Sequence, residues 1–123
     1  MITIVPVENK KQRAKFIDFP HDLYKEDPNY VPELFVAQDD MLNPLKHPFY
    51  KHSSAQLFLA YQDEKIVGRI AGIFNTNNNS FNNVSEGQFG FFDCINDQKV
   101  ADKLFQAAEK WTKQKGATNI VGP

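Results

Sequence analysis

The sequence predicts one α+β domain built on a mixed β-sheet, and three observations lead to this prediction. Two apolar runs, at residues 55–61 and 66–74, flank a short polar turn, which is typical of a β-hairpin. Residues 88–95 read as a strand that is followed by an amphipathic helix and a short strand at residues 118–121, and such a unit forms a parallel crossover. The length of 123 residues suits a single domain, residues 1–123, whose core needs no cross-links.

The N-terminal part of the chain predicts a strand and a helix. Residues 2–7 alternate around β-branched side chains, and Pro6 near the end of this run favours an edge strand. Polar residues then lead into a helix over residues 10–18, whose basic start reads as a solvated first turn. Pro20 has no N–H group and should end that helix, with a further turn after it.

The middle of the chain predicts one more helix between irregular segments. Residues 33–42 fit a short helix with apolar residues on one side, between proline-rich loops. Residues 75–87 are rich in asparagine and predict a long loop before the fourth strand. The predicted element order is therefore β-α-α-β-β-β-α-β.

The second hairpin strand carries two glycines and one arginine of interest. Gly68 and Gly72 lie on one face because side chains alternate along a strand, and glycines there indicate a helix or a bulge that packs closely, or else a ligand backbone. Arg69 lies on the opposite face. An ion pair with Asp63 or Glu64 is the favoured interpretation, and contact with an anionic ligand is the alternative.

The crossover is the best-specified part of the sequence. Strict alternation places one set of strand residues on each face: Phe89, Phe91, Asp93 and Ile95 on one, and Gln88, Gly90, Phe92 and Cys94 on the other. The helix has an apolar stripe at Val100, Leu104, Ala107, Ala108 and Trp111. Asn96 or Asp97 can cap its start, and Gly116 is placed to end it.

Composition and charge argue against several classes of protein. The net charge of −1 and the alternation of lysines with acidic residues are atypical of a nucleic-acid-binding protein. We expect no membrane span, no metal site and no secretory leader, and hence a cytoplasmic protein. Cys94, the single cysteine, lies in an apolar run and is expected to be a buried, inert thiol.

The element order and four segments resemble the GNAT (GCN5-related N-acetyltransferase) superfamily, and in particular an uncharacterised bacterial branch of it. The segments are FPHDLYKEDPNYVPEL, HPFYKHSSAQLFLAYQDEKIVGRIAGIFN, GQFGFFDCINDQKVADKLFQAAEKW and GATNIVGP, so the resemblance covers nearly the whole chain. It implies the N-terminal part of a GNAT fold that stops after the fifth strand. It also implies acetyl-CoA as cofactor, bound where the fourth and fifth strands separate.

The resemblance also assigns cofactor-binding residues. The pantetheine arm would pair with the end of the fourth strand, at Cys94 and Ile95, and the diphosphate would lie on the strand-to-helix loop. The residues carried over to that loop are Asn96, Gln98, Lys99 and Val100. The family's glycines are missing there, and Asp97 places a negative charge where the diphosphate would lie.

The resemblance implies a general base on or near the fourth strand. Asp93 is the candidate, ahead of Glu86; the alternative is that Asp93 caps the following helix or pairs with a basic side chain. The tyrosine that usually protonates the departing thiolate in this fold follows the fifth strand, after the last residue of this chain.

Two functions remain open from the sequence, together with one mode of association. The first is an acyl-CoA-dependent N-acetyltransferase that acts on an amine of unknown identity. The second is a catalytically inactive GNAT-like module that binds or packs within a larger protein. An uncovered fifth strand further predicts a homo-oligomer, or a missing C-terminal half.

Overall fold

The computed structural model describes residues 2–23, 53–75 and 86–121. These residues form a five-stranded sheet in the spatial order β1-β2-β3-β4-β5 and two helices. The first three strand pairs are antiparallel, and β4 and β5 are parallel. The elements are β1 (Ile2–Pro6), α1 (Lys10–Leu23), β2 (Ser53–Gln62), β3 (Lys65–Asn75), β4 (Glu86–Cys94), α2 (Gln98–Gln114) and β5 (Asn119–Val121).

The two helices cover opposite faces of the sheet, because alternate residues of β2 and β3 point to each of them. The core beneath α2 combines Phe58, Ala60, Val67 and Ile70 of the sheet with Val100, Leu104 and Ala108 of the helix. The core beneath α1 combines Phe16 and Ile17 with Leu57, Leu59 and Ala71. Neither described helix is both long and apolar enough to cross a membrane.

The predicted hairpin, the parallel crossover and the edge position of the first strand are confirmed. β2 and β3 are joined by Asp63 and Glu64, whose positive φ angles of 52° and 69° suit a two-residue hairpin loop. β1 lies at one edge of the sheet, where Pro6 costs no hydrogen bond to a further strand. The predicted helix at residues 33–42, the loops around it and most of the predicted loop before β4 lie outside the described residues.

The prediction that Pro20 ends the first helix is wrong, since α1 continues to Leu23 with the proline inside it. An internal proline leaves the carbonyl four residues earlier without its helical N–H donor. Here that carbonyl belongs to Phe16, and it accepts a hydrogen bond of 2.9 Å from Nη1 of Arg69 on β3. The sheet therefore supplies the donor that the proline removes.

The ends of α2 follow the sequence prediction closely. Asp97 is the N-cap residue, and its Oδ1 accepts from the N–H of Lys99 at 2.9 Å. At the other end, Gly116 has φ +107°. The N–H of Gly116 bonds to Lys113 O and that of Ala117 to Thr112 O, which is the Schellman pattern.

The predicted alternation along the fourth strand is wrong because β4 contains a β-bulge. Phe91 and Phe92 together lie opposite the single residue Ile70 of β3, and Phe91 has φ +52°. The extra residue reverses the alternation. Phe89, Phe92 and Cys94 therefore pack towards α2, whereas Phe91 packs against the core beneath α1.

Candidate functional site

The edge of β4 that faces β5 is only partly paired. β5 pairs with Glu86, Gly87 and Gln88 of β4, and no other strand in the described part of the chain continues that pairing towards Cys94. The N–H of Ile95 donates to Val67 O on the β3 side at 2.9 Å. Because hydrogen-bonding groups alternate along a strand, the N–H and C=O of Cys94 point to the opposite edge. This edge can therefore bind an extended, amide-bearing molecule.

The N-terminus of α2 begins directly after that edge. The N–H of Lys99 is occupied by the side chain of Asp97, and the N–H of Asp97 bonds to Ile95 O at 2.7 Å. Within residues 86–121 the backbone N–H groups of Gln98 and Val100 have no acceptor. Two N–H groups and the positive end of the helix dipole thus remain for an anion, although the Asp97 carboxylate opposes one.

The thiol of Cys94 is half-buried between these two features. Burial raises the pKa of Cys94, and the nearby carboxylates of Asp93 and Asp97 raise it further. The thiol is therefore protonated and a weak nucleophile at neutral pH. The expected full burial does not hold, since Cys94 retains intermediate exposure.

Arg69 and Asp93 form a buried ion pair between β3 and β4. Nε and Nη2 of Arg69 each lie 3.0 Å from Oδ2 of Asp93, and Arg69 is 5% exposed. The favoured partners from sequence, Asp63 and Glu64, were wrong, because both lie at the hairpin tip whereas Arg69 pairs across the sheet with Asp93. For Asp93 the structure shows the pairing with a basic side chain that was the alternative to catalysis.

The close packing indicated by Gly68 and Gly72 comes from α2. A Cβ atom on Gly68 would lie 2.7 Å from Cδ1 of Leu104, and one on Gly72 would lie 3.0 Å from the ring of Trp111. Both glycines therefore let the helix approach the sheet, as the crossing-helix interpretation predicts.

A cleft of about 760 Å³ lies on the α1 side of the sheet and ends beside Ile95. Its described lining combines apolar and charged side chains: Phe19, Leu23, Tyr61, Ile66 and Ile95, with Lys15, Asp18, Glu64 and Lys65. The sequence analysis did not find this cleft, because its walls come from α1, the hairpin and the end of β4. Such long-range proximity leaves no local pattern in the sequence.

The structure divides the sequence-predicted residues between the two faces of the sheet. Asp93 lies on the α1 face with Arg69, whereas Cys94 lies on the α2 face and residues 95–100 continue from it into the first turn of α2. The sequence analysis missed Phe16, whose carbonyl bonds to Arg69, the partner of Asp93. The available signal was Pro20, because a proline inside a helix leaves the carbonyl four residues earlier without a helical donor.

Comparison with curated proteins gives two relatives over nearly the whole chain. The chain is 36% identical over 123 residues to a bacterial ceramide synthase from Caulobacter vibrioides, covering 99% of this chain and 32% of that protein. It is 39% identical over 115 residues to protein YghO from Escherichia coli, covering 94% and 29% respectively. The chain thus spans about a third of the length of these relatives. No model of a protein family matches the chain.

Comparison with solved structures identifies the fold. A tandem GNAT protein from the clavulanic acid biosynthesis pathway superposes with a TM-score of 0.74 at 12% identity, covering 99% of this chain and 36% of that one. A GNAT-family acetyltransferase from Staphylococcus aureus superposes with a TM-score of 0.68 at 18% identity, covering 99% of this chain and 72% of that one. A predicted acetyltransferase from Clostridium acetobutylicum, solved with acetyl-CoA, superposes with a TM-score of 0.63 at 9% identity, covering 100% of this chain and 80% of that one. The chain has the GNAT fold.

Proposed function

We propose that this chain is part of an acyl-CoA-dependent N-acyltransferase and carries its donor-binding half. The observation that carries the proposal is the edge of β4 at Cys94, which no described strand pairs and which leads straight into the N-terminus of α2. A pantetheine arm has amide groups that can pair with such an edge, and a diphosphate suits a helix start. One structure of the same fold was solved with acetyl-CoA, which supports this class of donor.

The residues present fit the donor in part. Cys94 would pair with the arm, whereas the N–H and C=O of Ile95 are already bonded to Val67 and Asp97. The N–H groups of Gln98 and Val100, with the Lys99 ammonium nearby, would face the diphosphate. Bound acyl-CoA would supply the thioester that an amine attacks. The negative charge of Asp97 would repel the diphosphate. We therefore expect the chain to bind the donor more weakly than a variant without that charge.

The acceptor in this proposal is an amine that carries an apolar chain. A relative that is 36% identical to this chain is named a bacterial ceramide synthase, and a ceramide is an amide of a long-chain amine. The cleft lined in part by Ile95 supports the apolar part of such an acceptor, because Phe19, Leu23 and Ile66 give it apolar walls. Its two carboxylates are balanced by Lys15 and Lys65, so the argument rests on the apolar walls and not on charge.

The alternative function is a module that no longer catalyses and only packs within a larger protein. Two observations favour it: the strand-to-helix loop lacks glycine, and the helix start is already capped by Asp97. The two functions differ in whether the chain binds an acyl donor at all.

The test is a titration of the 123-residue chain with acetyl-CoA, in which binding is measured by calorimetry and by the change in melting temperature. We expect saturable binding, and about fivefold tighter binding by Asp97→Asn, since removing one charge near the diphosphate is worth about 1 kcal/mol. Asparagine keeps the helix cap, so the fold is preserved.

The matched control is Asp102→Asn, which removes a charge one turn further along α2, where Asp102 accepts a hydrogen bond from the Gln98 side chain at 2.8 Å. We expect a smaller gain in affinity there. A chain that shows no binding and no rise in melting temperature at millimolar acetyl-CoA would support the packing module instead.

A further inference from the structure

Arg69 lies on the face of the sheet opposite α2, within a group of polar and aromatic side chains. The guanidinium of Arg69 contacts two segments that are distant from it in sequence, α1 and β4. It bonds to the Phe16 carbonyl on α1 and to Asp93 on β4, and it lies between two aromatic rings. Its central carbon is 4.9 Å from the centre of the Phe16 ring and 5.6 Å from that of Phe91.

The partners of Arg69 are the residues that shape the bulge of β4. Phe91 holds a positive φ of 52°, a conformation that an aromatic residue adopts only at an energetic cost. Asp93 follows two residues later and pairs with Arg69 across the sheet. One cation thus holds both the strained residue and the strand just after it, and Cys94 and Ile95 follow immediately.

We infer that Arg69 and Asp93 are a positioning pair that fixes the bulged part of β4, and that Asp93 is not the base that removes a proton from the acceptor. Proton transfer to Asp93 would neutralise its carboxylate and so break its ion pair with the buried guanidinium of Arg69, which is unfavourable. The role in donor binding rests on the proposed function, because it needs an acyl donor on the edge at Cys94. The role in shaping β4 does not.

Pro20 explains why Arg69 can bond to the backbone of α1. A helix without the proline would use the Phe16 carbonyl for its own hydrogen bond, and Arg69 would have to share that acceptor. With the proline in place, the carbonyl is available for the guanidinium. The contact therefore fixes the rotation of α1 about its axis relative to β3 and β4.

The experiment compares Arg69→Lys and Asp93→Asn with the unaltered chain by hydrogen exchange under native conditions. Lysine keeps the charge but loses the planar fork of donors, and asparagine keeps the shape but loses the charge. We expect the amides of residues 91–95 to exchange about tenfold faster in both variants, with a smaller change in β1 and β2. A uniform change over all strands, or no change at 91–95, would overturn the inference.

The control variant is Lys113→Met, which breaks the exposed ion pair between Lys113 and Glu109 on α2. It removes one charge and one ion pair, as Asp93→Asn does, but far from the bulge. We expect exchange at residues 91–95 to remain unchanged in it.

Acetyl-CoA affinity separates the positioning role from catalysis. A positioning pair predicts about tenfold weaker binding in Asp93→Asn and Arg69→Lys, because the donor-binding edge is loosened. A general base would leave the affinity unchanged in Asp93→Asn, and that result would overturn the inference. If the unaltered chain binds no acetyl-CoA, the proposed function fails, while the exchange data still decide whether Arg69 and Asp93 fix the bulge.

Discussion

Substitution of Gly87 by alanine tests how closely the C-terminal part of α2 packs on the sheet. Gly87 pairs with Ile120 of β5, and an added Cβ would overlap with Cβ of Thr112 on α2. It would also lie 2.7 Å from Cγ2 and 2.8 Å from Oγ1 of the same residue. Thr112 is 1% exposed, and its Oγ1 donates a hydrogen bond to Glu109 O. No rotation about χ1 moves a Cβ atom, so the helix itself must shift by about 1 Å to restore a normal contact.

The cost of that shift follows from the distances. Overpacking a well-filled core costs about 1–3 kcal/mol, and we expect the upper end because the obstacle is fixed to the backbone. For a chain of this length, 1 kcal/mol corresponds to about 4 °C in melting temperature. Gly87→Ala should therefore lower the melting temperature by about 12 °C in a calorimetric scan.

The matched control for Gly87 is Gly90, on the same strand. Among the described residues, a Cβ atom there would meet only Cδ1 of Ile73, at an ordinary 3.8 Å. Gly90→Ala should leave the melting temperature within about 2 °C, or raise it slightly because alanine restricts the unfolded chain. Equal melting temperatures for the two variants would refute this account of the packing.

Two further predictions concern the end of α2 and the thiol. Gly116→Ala should cost about 1–2 kcal/mol and lower the midpoint of unfolding in urea, because φ is +107° at Gly116. No atom of the described residues lies within 4 Å of the added methyl group, so backbone strain is the cause that is tested, and an unchanged midpoint would contradict it. The raised pKa of Cys94 stabilises the fold below the ordinary pKa of a thiol, and that contribution is lost as the pH rises through the raised value. Alkylation of Cys94 by iodoacetamide should therefore reach its half-maximal rate at a higher pH in the folded chain than in the unfolded chain. Asp97→Asn should lower that pH, because it removes one of the nearby negative charges. A midpoint equal to that of the unfolded chain would show that the pKa is not raised.

The sequence predicted the elements whose signals are local. The hairpin depends on two apolar runs and a two-residue turn, and α2 on an apolar stripe between Asp97 and Gly116, so nearby residues specify both. The errors arose where a distant residue intervened. Pro20 ends a helix only if nothing else satisfies Phe16 O, and the donor is supplied by Arg69, 53 residues away in sequence from the carbonyl it meets.

The candidate site was predicted in position but not in detail. The strand-to-helix junction at residues 94–100 could be located, because the end of a strand and the cap of a helix both have sequence signatures. The bulge at Phe91 could not, since a single extra residue leaves the apolar pattern intact and changes only which face each side chain occupies. The partner of Asp93 was unspecified for the same reason, as it depends on the register with β3.

The capped start of α2 limits how a donor can be held there. An N-cap side chain contributes about 1 kcal/mol to a helix, so a diphosphate that displaced Asp97 would have to offset that contribution as well as the repulsion from its charge. A donor that uses only the N–H groups of Gln98 and Val100 leaves the cap in place and gains fewer hydrogen bonds. In either case, more of the binding free energy must come from the arm along β4 than from the diphosphate. The geometry of β4 at Cys94, which Arg69 and Asp93 hold through the bulge, is then the feature on which donor binding depends most.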